Sequence, residues 1–190
     1  MLTIDNRPCK IGNSINLRTE RHGDEDVPAC DIPLAGIMLQ PDELNALLDD
    51  SRAHKALFTQ AKNGKPAEPA FQKFKAFAMK DKFEDAAVVL IVGLAETEIE
   101  LGEVNLARIM LEPQVGGMTE VSLQVQAKPD SDDFAHLMQF MNHDANVTIQ
   151  FGKLIESKKS KQQQLGLAVG KDGEGGVPQA DDSGAEARTH

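Results

Sequence analysis

The sequence predicts a mainly β, α+β fold: an antiparallel β-sandwich or open barrel with two or three short helices at its ends. Three observations predict it. Most apolar segments alternate with a two-residue period, and few have a helical period. Hydrophobic residues make up 41% of the 190 positions, which is enough for a core. That core must be aliphatic, because the chain has no Trp or Tyr and only eight Phe.

The N-terminal half begins with a strand predicted over Ile11–Thr19, whose Leu17 would face the core. The polar run at 22–26 predicts a hairpin turn centred near Gly23, followed by a strand that ends near residue 39. The next residues, from Gln40 to Glu43, begin a short helix, since proline and acidic residues suit a first helical turn.

Residues 86–94 are short, apolar and β-branched, which predicts a buried strand. The apolar phase changes near Gly102–Glu103, where we expect a bulge. Gly116–Gly117 predicts a hairpin turn, and 121–127 alternate without a break, which is typical of a strand. A helix with an apolar stripe over 134–141 and a strand over 147–151 complete the domain.

The domain predicted from these elements covers residues 1–155, with a basic helical or loop insertion at 51–85. Residues 156–190 are predicted to be a flexible, low-complexity tail, since they hold too little apolar surface to offset the entropy of ordering. Residues 27–50 and 118–144 share the order strand, turn, short helix. An internal duplication and chance similarity are both open explanations.

The two cysteines, Cys9 and Cys30, are predicted to be free thiols, because the expected hairpin keeps them apart along the ladder. The N-terminus lacks the apolar run of a signal peptide, and no segment is long and apolar enough for a membrane helix. We therefore expect a cytoplasmic protein without a membrane partner.

The net charge of −10 is distributed unevenly along the chain. Residues 52–82 hold eight Lys or Arg against two acidic residues, a net charge of +6, and we call them the basic segment. Residues 171–190 are acidic, with five carboxylates against two basic side chains. Such a tail either competes with nucleic acid for a basic surface or simply keeps the chain soluble.

The basic segment also contains four of the eight phenylalanines, and a fifth, Phe83, follows it directly. Lysines that contact phosphates and rings that stack on bases are the components of single-strand binding. The predicted nucleic-acid-binding residues are Lys55, Lys62, Lys65, Phe71, Lys73, Phe74, Lys75, Phe77, Lys80 and Lys82. The alternative is that the three phenylalanines at 71, 74 and 77 form the buried side of a helix whose other side carries solvated lysines.

No catalytic residues, cofactor or metal site are predicted. The sequence has no phosphate-binding glycine loop and no nucleophile elbow. His22 with its acidic neighbours sits where a turn is needed, and His136 and His143 are two helical turns apart, too far to share one ion. We therefore expect a protein that is not an enzyme.

The runs Arg18–Ile32 and Val121–Asp130 resemble those of uncharacterised phage and prophage proteins, often encoded among early genes for recombination and replication. The resemblance covers residues 10–40 and 118–151 and includes no established catalytic motif. It implies a phage accessory protein in a bacterial host cell, with DNA metabolism as its setting.

Three functions follow as hypotheses. The first is binding of nucleic acid, above all single-stranded DNA, in recombination or replication. The second is an interaction protein that binds a host or phage protein through an acidic recognition surface, for anti-defence or regulation. The third is a homo-oligomer built by pairing of exposed strand edges.

Overall fold

The computed structural model describes residues 2–22, 25–59 and 66–155. In this part the chain forms nine strands and three helices. The strands are β1 Thr3–Ile11, β2 Asn16–His22, β3 Glu25–Leu39, β4 Phe77–Ala78, β5 Lys82–Val92, β6 Thr97–Pro113, β7 Thr119–Ala127, β8 Asp144–Gln150 and β9 Lys153–Ile155. The helices are α1 Pro41–Leu47, α2 Ala53–Leu57 and α3 Ser131–Gln139. The predicted tail at 156–190 lies outside the described residues.

Six strands form a closed antiparallel barrel in the order β6-β7-β3-β1-β8-β5, and β5 pairs back with β6. The mainly β prediction and the barrel alternative are thus confirmed, with three helices. An open barrel was expected, whereas the ring of strand pairs is closed. A sandwich is not confirmed.

The barrel interior is filled by aliphatic side chains that alternate with outward polar ones. Strand β8 shows this pattern: Ala145, Val147 and Ile149 are buried, and the polar residues Asn146 and Thr148 alternate with them. Two phenylalanines, Phe83 and Phe151, meet edge to face inside, with ring centroids 4.9 Å apart. Alternation with a period of two places every second side chain in the core, so closure buries one face of each strand.

Helices α1 and α3 lie at opposite ends of the barrel. They follow β3 and β7, which pair antiparallel with Leu39 opposite Thr119 and Cys30 opposite Ala127. Leu44 of α1 and Leu137 of α3 are fully buried, so each helix adds to the core. The Asp130 carboxylate caps α3 by accepting hydrogen bonds from the N–H groups of Asp132 and Asp133, at 2.9 and 2.8 Å.

The ring order is unchanged when β1, β3 and β5 are exchanged with β6, β7 and β8, respectively. In each half, two strands precede a helix and the third strand follows it. The units 27–50 and 118–144, noted from the sequence, contain the exchanged pairs β3–α1 and β7–α3. The two units therefore occupy equivalent positions in the ring, and a duplication of one unit stays a hypothesis.

The strand predicted over Ile11–Thr19 is wrong in its bounds and in its buried face. β1 ends at Ile11, and β2 begins at Asn16. The chain leaves β1 at Gly12, whose N–H donates to the Pro33 carbonyl at 2.8 Å. Leu17, expected in the core, is 65% exposed, because β2 pairs only with β3 and lies outside the closed ring.

The predicted bulge and turn are confirmed. The β5–β6 register shifts between Ala86 and Val88, opposite Gly102–Glu103, and Glu103 has a φ of 50°. Gly116 and Gly117 form the β6–β7 turn with φ values of 105° and 90°, which glycine adopts without strain.

Gly152→Ala should destabilise the barrel strongly. A Cβ there would overlap the Glu84 carbonyl oxygen, and displacing backbone atoms costs much free energy. We expect a loss of about 3 kcal/mol or more in the free energy of unfolding, measured by urea denaturation. Gly102→Ala is the matched control, because nothing lies within 4 Å of its added Cβ. Equal midpoints for the two variants would contradict this account.

Cys9 and Cys30 are both free and buried, as expected for thiols apart in the fold. Burial raises the pKa of Cys9 to about 12, helped by the Asp144 charge, and burial also raises the pKa of Cys30. Iodoacetamide at neutral pH should therefore label neither thiol in the native protein and both in denaturant, as counted by mass spectrometry. Labelling of native Cys9 at the denatured rate would contradict this.

The same shift makes stability depend on pH in the alkaline range. Between pH 9.0, the ordinary thiol value, and about 12, an unfolded Cys9 loses its proton while the folded one keeps it. The free energy of unfolding should therefore fall as pH rises through this window. Cys9→Ala should show a shallower fall in denaturant titrations at successive pH values.

Candidate nucleic-acid interface

The described part of the basic segment crosses the outside of the barrel and is anchored on both sides. His54 of α2 places its Nε2 2.9 Å from the Gly117 carbonyl oxygen. The Ala70 N–H donates to Leu57 O at 2.8 Å, and the Met79 N–H donates to Ile109 O at the same distance. Residues 71–76 thus form an irregular loop between fixed points, followed by β4 against β6.

The three phenylalanines of this loop and β4 form an aromatic cluster, which we define as Phe71, Phe74 and Phe77. The Phe77 ring centroid lies 6.0 Å from that of Phe71 and 5.9 Å from that of Phe74. Phe71 is 48% exposed and Phe74 is 63% exposed, while Phe77 is half-buried. The alternative of a helix burying these rings is wrong, because residues 71–76 are not helical.

Four of the predicted lysines surround this cluster in sequence and are exposed: Lys55, Lys73, Lys75 and Lys80. Within the described residues, none of the four has an ion-pair partner. Lys82 differs, because it begins β5 and its Nζ lies 2.6 Å from Glu84 Oε1. Lys62 and Lys65 lie outside the described residues.

Two grooves flank the aromatic cluster. One, of about 370 Å³, is lined by Phe74 and Lys75 together with Glu68 and Glu112. The other, of about 550 Å³, lies between α2 and β4, and Phe77 is on its wall. Because carboxylates line both grooves, a phosphate is better accommodated at the exposed loop 71–75 than inside either groove.

A further concavity lies elsewhere and had no signal in the sequence. It measures about 740 Å³ on the outer side of β1, β8 and β5. Its wall includes Lys10, Leu94, Phe140 and His143. Since these residues come from strands and turns far apart in the chain, local patterns could not bring them together. His143, expected on the helix with His136, lies beyond the end of α3.

Negative charge is concentrated where α3 meets β6. Partial burial raises the pKa of Asp133, and the carboxylates of Asp130, Asp132 and Glu100 raise it further. The contribution of these three carboxylates places their charges close to Asp133. This group forms an acidic patch at the junction of α3 and β6.

Comparison of the chain with family models, curated proteins and solved structures found no match. In the described ranges, no three His, Cys, Asp or Glu side chains come together as metal ligands. None of the helices in the same ranges has the length and apolar character needed to cross a membrane.

Proposed function

We propose that this protein binds single-stranded nucleic acid through the aromatic cluster and the lysines beside it. The observation that carries the proposal is that Phe71 and Phe74 present their rings to solvent next to lysines that have no ion-pair partner among the described residues. An aliphatic barrel with a full core gains nothing from holding two large rings in water. An exposed ring beside a cation is the arrangement that stacks on a base while a phosphate is neutralised.

The roles divide by chemistry. Phe74 and Phe71 supply stacking surfaces, and Phe77 supports both from beneath, since its ring contacts each of them. Lys73 and Lys75 alternate with these rings in sequence, and Lys80 follows β4, so their ammonium groups are the phosphate contacts. Lys55, on α2 at the same end of the barrel, extends the positive surface. Such contacts carry no sequence preference.

The resemblance to phage early-region proteins supplies the setting for this proposal, in recombination or replication within the bacterial cytoplasm. Both processes expose single-stranded DNA. A duplex hides its base faces, so the cluster favours a single strand over a duplex of equal length.

Phe74→Ala should weaken binding of a fluorescent oligothymidylate about 5- to 150-fold, the range for one stacked base. Anisotropy titration at low salt measures the dissociation constant. Phe74→Tyr is the matched control, because it keeps an aromatic face and should retain affinity. The proposal fails if the wild-type chain shows no binding at tens of micromolar, or if Phe74→Ala binds as well as wild type.

Replacing Lys73 and Lys75 together by Gln should flatten the salt dependence of the same binding. Each phosphate contact contributes about −0.7 to the slope of log K against log salt on a single strand. Two lost contacts therefore reduce the slope by about 1.4. Lys82→Gln is the control, since Glu84 already pairs with Lys82 and the slope should change little. Equal effects of the two variants would show that charge at the loop has no special role.

A second candidate is supported by the acidic patch at Asp130, Asp132, Asp133 and Glu100. We propose, as the alternative, that this surface binds a basic host protein in place of nucleic acid. The test is capture from a nuclease-treated bacterial lysate with wild type and with Asp132→Asn/Glu100→Gln. A stoichiometric partner lost in the double variant supports this function. Equal capture by both proteins rejects it.

A further inference from the structure

Strand β2 has one edge that no other described strand pairs with. In the described chain, three strands pair along one side only, and they are β2, β4 and β9. β4 has two residues and β9 has three, too short to offer a template for another strand. β2 has seven residues and runs beside β3 along its whole length.

The backbone groups of Thr19 point away from β3, toward this free edge. β2 and β7 pair with opposite sides of β3, since Cys30 and Asp31 have partners in both strands. The Pro33 carbonyl faces the side of β1 and β2, because it accepts from Gly12. Along a strand, the backbone N–H and C=O groups of successive residues point to alternate sides. The backbone carbonyl of Pro28, five positions before Pro33, therefore points to the other side of β3, away from β2. Thr19 is paired with Pro28 and is therefore free to bond outward.

The two residues that flank Thr19 in β2 carry opposite charges. Arg18 and Glu20 stand on either side of it and are joined by a 2.7 Å ion pair. Arg18 also pairs with Asp31, and Lys128 Nζ lies 3.0 Å from Glu20 Oε2. Hydrogen bonds from Arg18 and then from Lys128 lower the pKa of Glu20, so the carboxylate is charged at neutral pH. On the other face, Leu17 and Thr19 are exposed.

We infer that β2 pairs antiparallel with β2 of a second copy, about a two-fold axis at Thr19. In this register Thr19 faces its own counterpart and exchanges both backbone hydrogen bonds with it. Arg18 of each copy then lies opposite Glu20 of the other copy, and the two opposite charges attract. A parallel pairing in register would instead place like charges opposite each other. The partner is a second copy because only a strand with this charge order is complementary at both positions.

The interface is small, so the dimer belongs to the weak class that forms in the micromolar range. Leu17 adds apolar area, since it lines a crevice with Pro28, Ala29 and Phe134. The inference does not depend on nucleic-acid binding. Either one stands if the other fails, since β2 and the aromatic cluster share no residues.

Disulfide trapping tests the register in the full-length protein. Across a hydrogen-bonded antiparallel pair the Cα atoms are about 5.5 Å apart, which a disulfide spans, so Thr19→Cys should form a linked dimer on mild oxidation. Leu17→Cys is the matched control. Its counterpart lies four residues along the strand, about 13 Å away, and should not link. The native cysteines are buried and should not compete. Equal linkage of the two variants, or none for Thr19→Cys, overturns the inference.

Light scattering of the purified chain tests the backbone pairing. Wild type and Thr19→Val should approach twice the 20.6 kDa chain mass as concentration rises. Thr19→Pro should remain at one chain mass with an unchanged circular dichroism spectrum, because it removes only the outward N–H. A wild type that is monomeric at its highest soluble concentration overturns the inference. Dimerisation of Thr19→Pro would also overturn the inference, since it would show that the chains associate through another surface.

Discussion

Closure of the six-stranded ring by the β5–β6 pairing is the constraint on which the rest of the structure depends. Once the ring closes, every strand in it has two neighbours and one face turned inward, so the interior is filled with Val, Leu and Ile. The aromatic cluster and the β2 edge both lie outside this ring.

This constraint explains why phenylalanines have two fates. Phe83 and Phe151 meet at the barrel interior, where they fill volume that aliphatic side chains leave. The aromatic cluster follows α2 on the outside, where the core is already complete. Its rings therefore pack on one another rather than on the barrel, and two of them are exposed for that reason.

The sequence predicts those elements in which the apolar residues of the local pattern are also the residues buried in the structure. The alternation of β7 and the apolar stripe of α3 predict both elements, because β7 packs one face on the core and α3 buries Leu137 there. β1 was missed, because its register shifts between Ile4 and Arg7 and Asn6 adopts a φ of 44°, which breaks the two-residue period. Leu17 was assigned to the core by period alone, and no local pattern shows that a strand lies outside a ring.

The candidate site was predicted in composition but not in conformation. Lysines and phenylalanines between 52 and 82 were visible in the sequence, yet a spacing of three suits a helix and an irregular loop equally. The loop forms because tertiary hydrogen bonds fix it, as between Ala70 and Leu57 and between Met79 and Ile109. These partners lie on neighbouring elements, so propensity could not reveal them.

The exchange of β1, β3 and β5 with β6, β7 and β8 has a consequence for how such a barrel can be assembled. A peptide containing only one set, two strands, a helix and a strand, holds half of the ring strands: two of them pair with each other, and the third pairs only with strands of the other set. Two identical peptides of that type could interlock to give the same closed wall. The linker between β5 and β6, residues 93–96, would then be the one connection that makes a single chain out of a two-fold assembly.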